Sequence, residues 1–296
     1  MTLKKIIFCF AMLTPCLLLT SISFAESLKA SEVENQEYKQ DMARIESWSK
    51  SLKPGFTNDL NKYEKFANEI QNKWSKKNRE LYARLMWEVC KPLSSGRFND
   101  ERQYEVARRY ALSALAEPNE IPLVTELELT GHVMTDMVTP RAPKGEDFAQ
   151  RRNKDVEIRL HAWKRLIDAI DPNWDPNEVL LSPNAVGADM GIPVGGMAPE
   201  SVKDPKLRAE YEAALQKNRE KIERHSEQRR LHDWLKRFPK RAEEYIIQAY
   251  SKPPFDVEEL KQYLDKYVAD TKTKARILAA VTKNIEKETQ KESTTP

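Results

Sequence analysis

Glu128, His132 and Asp136 stand four residues apart, so a helix over 121–138 would project all three from one side. A carboxylate, an imidazole and a second carboxylate suit a hard or borderline metal ion. The same spacing fits a solvated face shared with Thr125 and Thr135, with Leu127, Val133, Met134 and Met137 turned inward. The solvated face is the simpler reading, and no metal or other cofactor is expected. Glu157 and His161 repeat the spacing; with Arg165 and Asp168 they read as alternating charge on a wet face. His225 and His232 lie two helical turns apart without a third ligand, among Arg224, Arg229 and Arg230, whose charge opposes a cation.

Two stretches could bind without catalysing. In 181–204, Gly187, Gly191, Gly195 and Gly196 crowd four of the chain's eight glycines into ten residues. Their backbone N–H groups could approach an anionic ligand closely. Val186, Met190, Ile192, Val194 and Met197 equally suit a connector docked on neighbouring helices. Farther on, Glu223 to Arg230 holds no aliphatic or aromatic residue, and Arg219 to Arg241 carries nine Lys/Arg against four Asp/Glu. A helix that is polar all round is not core. It is a solvated spacer or a contact surface, with Arg224, Arg229 and Arg230 as the residues to meet an anionic polymer or lipid surface. The chain has no G-x-S-x-G, H-E-x-x-H, C-x-x-C, P-loop or G-x-G-x-x-G signature.

The elements that would position these residues are helices. Charged residues make up 32% of the 296-residue chain and glycine is scarce, a mix that suits solvated helices better than sheets. Ser31 to Glu34 is a capping box that opens a helix over about 32–51. A second helix covers about 58–91, with a break expected near 76–78. Others follow Asn99, span 121–138 and 146–170, and start at Asp175-Pro176. Asp204-Pro205 caps a long helix to about Arg237, Pro239 restarts one, and Asp256 to Glu259 is another capping box. The expected fold is all-α: an N-terminal helical lobe (26–180), a Gly/Pro-rich connector (181–204), a C-terminal helical lobe (205–285) and a disordered tail (286–296). A helical-repeat solenoid is the alternative.

The first 25 residues read as an export signal: Lys4-Lys5, an apolar run from Ile6, and Ser23-Phe24-Ala25 before Glu26. Cleavage after Ala25 would remove Cys9 and Cys16 and leave Cys90, whose apolar surroundings predict a buried, inert thiol. It would also remove two of the charges behind a net +3, leaving a nearly neutral chain with no electrostatic case for nucleic acid. The expectation is a periplasmic or extracellular bacterial protein that binds or scaffolds without catalysis, its partner an envelope protein or an anionic polymer or lipid surface. The alternative is a hydrolase acting on an envelope or extracellular polymer.

Overall fold

The computed structural model describes Glu32 and residues 34–51, 57–94, 101–133, 148–192 and 199–294. The described residues form helices and turns with no strand among them, as an all-α fold requires. The export signal lies outside them. No helix among them is long and apolar enough to cross a membrane.

Contacts divide the chain into Met1–Ile121 and Pro122–Pro296. The division expected at 181–204 is therefore not where the contacts part.

The first unit holds α1 (34–51), α2 (Thr57–Trp74), α3 (Arg79–Ser94) and α4 (Glu101–Ala114). The break between α2 and α3 falls where the sequence places it, and Asn78 Oδ1 caps the restart by accepting from Leu81 N at 3.1 Å. Tyr63, Trp74, Tyr82, Leu85 and Tyr110 are wholly buried. Their polar tips are satisfied inside: Tyr63 donates to the Val89 carbonyl (2.8 Å), Tyr110 to the Glu64 carbonyl (2.9 Å), and Tyr82 pairs with Ser113 (2.7 Å). Cys90 is buried and burial pushes its thiol up, so it stays protonated. Asp41 on α1 is also buried. It accepts from Trp74 Nε1 (2.9 Å), Lys73 Nζ (2.8 Å) and Arg44 (3.1 Å), joining α1 to the end of α2.

The second unit is built around α6 (Phe148–Ala169). Its Val156 and Leu160 pack with α9 (Phe238–Tyr250), α10 (Val257–Tyr267) and α11 (Thr271–Thr294). One turn on, Ala162 and Leu166 pack with Leu127 of α5 (Leu123–Glu128), Leu231 and Trp234 of α8 (Pro205–Leu235), and Phe238. Thus α6, grouped by sequence with the N-terminal helices, belongs to the second unit. After Glu128 the chain widens into a π turn, Leu129–Val133. Gly131 lies in that turn; a Cβ there would sit 2.8 Å from the Trp234 ring, so the close approach needs glycine.

Two further differences have local causes. No helix starts at Asp175-Pro176; 170–182 is a turn-rich strap. Asp171 and Asp175 accept from the backbone N–H two residues on (2.9 and 2.8 Å), and these Asx turns divert the backbone from helix. At the other end α11 runs to Thr294 instead of stopping near Ile285. Residues 286–290 are exposed, and the stretch is rich in Glu, Lys and Gln, good helix formers that need no apolar stripe to continue.

Candidate functional site: a groove on the second unit

The site begins with the register of α6. Residues 157, 161, 165 and 168 share one side, and 163 and 167 share another. The first side is the wet face its charges suggest only in part: Asp168 and Glu157 stay open to solvent, while His161 and Arg165 turn to a buried carboxylate. Glu126 of α5 is wholly buried and takes both His161 Nδ1, at 2.9 Å, and the guanidinium of Arg165. A buried carboxylate is tolerable only when paired and hydrogen-bonded, and α6 supplies both partners one turn apart. Glu157 accepts from Tyr267 Oη (2.8 Å) and Lys266 Nζ (2.9 Å) at the end of α10. The Lys266 bond, helped by Tyr267, holds the Glu157 carboxyl below its usual range against the opposing effect of burial. The His161 ring meets the Tyr267 ring edge-on, 6.3 Å between centroids.

Tyr267 is also a wall of a groove of about 590 Å³ bounded by α6, the α8–α9 junction and the α10–α11 turn. Trp163, Ile167, Leu235, Pro239, Val268 and Ala269 form its apolar lining. Ile167 is 49% exposed, although its spacing from Trp163 and Ile170 is that of an apolar helix face. The charged lining is internally matched. Lys164 pairs with Asp168, Lys266 with Glu157, and Lys274 with Asp265 at 2.8 Å. Asp270 caps α11 by accepting from Thr273 N and Oγ1. An apolar floor with compensated charges fits an uncharged apolar side chain better than an ion.

The groove is not the site that the sequence nominates. Glu128 is half-buried and ends α5, His132 falls in the π turn, where winding changes, and Asp136 lies outside the described residues. Among the described residues no group of three metal-binding side chains exists. Thr125, assigned to the same solvated face, is buried: α5 is enclosed by α6, α8 and the π turn, so the helix has no wet side there.

Gly187 and Gly191 belong to the connector. Ser182 caps α7 (Pro183–Asp189), which lays Val186 and Ile192 on Tyr211 of α8. Gly187 faces the Tyr211 hydroxyl, and Gly191 ends the helix at φ +72° with Ile192 N reaching back to the Gly187 carbonyl (2.9 Å). Gly195 and Gly196 lie outside the described residues. Arg224, Arg229 and Arg230 are exposed on α8. The polar stretch that contains them is not solvated all round: His225 is only 7% exposed and, with Gln228, holds the strap.

The residues missed from sequence are Glu126 as a buried acceptor and Ile167 as exposed surface. The capture of Glu126 by α6 depends on a contact 35 residues away, and no local spacing signals it. No protein-family model, curated protein or solved structure matches the chain.

Proposed function

We propose that this protein is an exported, non-catalytic binding or scaffolding protein of the bacterial envelope, and that it engages a partner protein through the groove of the second unit. The observation that carries the reading is Ile167, a large aliphatic side chain half open to solvent in a concave, charge-compensated setting. An apolar centre with a polar rim is the anatomy of a protein-binding surface, where one or two anchors supply most of the affinity. Export rests on the layout of residues 1–25.

Native mass spectrometry of the protein purified from its own compartment tests this. The expected spectrum shows a chain beginning at Glu26 with a protein partner that is lost from Ile167→Asp. A small ligand or metal retained in place of any protein partner contradicts it. The hydrolase alternative draws on one arrangement, the carboxylate of Glu126 fixing His161 Nδ1, as an orienting group does for a general base. Arg165 shares that carboxylate, which marks the trio as an ion-pair node of the core.

A further inference from the structure

The strap 170–182 lies along the middle of α8, held by polar contacts along its length. Gln228 clamps its start, donating to the Ala169 carbonyl and accepting from Asp171 N, both at 3.0 Å. Asn218 donates to the Leu181 carbonyl at 2.9 Å near its end. Between them Trp174 is set against two imidazoles. Its ring stacks on His232 (4.5 Å between centroids, 27° between planes), and its Nε1–H donates to His225 Nδ1 at 3.2 Å.

That hydrogen bond gives each ring a role. Indole is a donor only, so in this arrangement His225 Nδ1 is the acceptor. The Glu178 carboxylate waits 3.9 Å from the same Nδ1, held meanwhile by Lys221 at 2.9 Å. We propose that this is an acid-responsive latch: protonation of His225 exchanges its partner at Nδ1 from the Trp174 indole to the Glu178 carboxylate, and loosens the strap from α8. The proton comes from solvent and no covalent bond changes. Nδ1–H cannot accept from an indole but can donate to a carboxylate, and a charge-assisted bond is about twice as strong as a neutral one.

Surrounding charges leave Glu178 as the group placed to receive the imidazolium. On the strap, Asp171 and Asp175 serve their own Asx turns. On α8, Lys221, Arg224 and Arg229 are cations, and Asp233 pairs with Lys236. From the packed helices, Asp168 is held by Lys164, and Arg165 meets Glu126 of α5. His232, whose Nε2 is buried without a hydrogen-bond partner, is the second titratable group against Trp174.

The latch is read in the full chain by solvent exchange of the Trp174 indole N–H, assigned with Trp174→Phe, as pH falls from 8 to 5, the window in which imidazoles charge. Measured against free tryptophan at the same pH, protection of the indole N–H should fall about five- to tenfold as the bond is lost. Glu178→Gln, at an exposed position, should shift the midpoint to lower pH because the imidazolium loses its counter-charge. His232→Phe keeps a stacking ring and should leave the transition in place. Protection that is independent of pH, a midpoint unchanged in Glu178→Gln, or a transition abolished by His232→Phe would each overturn the proposal.

Discussion

Each unit of this protein buries carboxylates, Asp41 in the first and Glu126 and Asp155 in the second, and Asp41 and Glu126 differ in what surrounds them. Asp41 in the first unit draws its donors from Trp74, Lys73 and Arg44, and the cations reach it from the surface on long side chains. Around it, no large hydrophobic of the first unit is exposed among the described residues. Glu126 in the second unit is sealed completely and takes its partners from α6, the helix that also presents Trp163 and Ile167 to the groove. The exposed large hydrophobics, Ile167, Val179, Leu181 and Phe255, all lie in the second unit. Buried charge therefore accompanies a closed apolar surface in one unit and an open one in the other. The open surface, not the buried charge, is what the proposed binding role rests on.

The largest expected effect separates the two carboxylates. Glu126→Ala removes the buried acceptor shared by His161 and Arg165, leaves a void, and should cost about 3 kcal/mol. A urea titration that follows hydrogen exchange in α5 and α6 measures it. A cost below that of Asp41→Ala would break the contrast. Asp41→Asn should cost about 2 kcal/mol at neutral pH, read from exchange in α1 and α2, because Lys73 and Arg44 can turn to water. Burial alone would raise the Asp41 carboxyl, but the bonds from Lys73 and Trp74 outweigh it and its pKa is lowered. A carboxyl depressed in the fold contributes stability that is full above its unfolded value, about 4. That contribution is lost as pH falls through the lower folded value. The penalty of Asp41→Asn should therefore shrink in acid; a penalty that grows would contradict the pairing.

Two glycines of the second unit sharpen the picture of its interior. Gly131→Ala drives a methyl into the Trp234 ring and should cost about 1–3 kcal/mol by thermal unfolding. Gly187→Ala meets the Tyr211 hydroxyl at 3.3 Å and its ring edge at 3.6 Å and gains helix propensity, so its net effect should stay within about 1 kcal/mol. The smallest effect on stability belongs to the groove. Ile167→Asp should change it by no more than about 0.5 kcal/mol, since the side chain is half in water already.

Helices were legible where their start chemistry was local. Asp204 accepts from Lys206 N at 2.9 Å and Asp256 from Glu259 N at 2.9 Å, as the caps require. The start at Asp175-Pro176 misled because the same residue type, Asp, also closes an Asx turn, and docking of the strap on α8 decides between them. The wet-face reading missed the turn of His161 and Arg165 onto Glu126 for a related reason. Charge spacing reports which residues share a side, while burial of that side depends on Glu126 and Tyr267, which are remote in sequence. The groove was illegible because Ile167 obeys the apolar period of a core residue; only the arrangement of α9, α10 and α11 leaves it uncovered.

Photo-crosslinking in the producing cell tests the central claim most directly, with the reactive side chain placed at Ile167 or, as the reference, at exposed Glu80 of the first unit. The account predicts one discrete protein adduct from position 167, absent from position 80 and suppressed when Trp163→Ala is added. The same adducts from both positions, or none from 167, would contradict it.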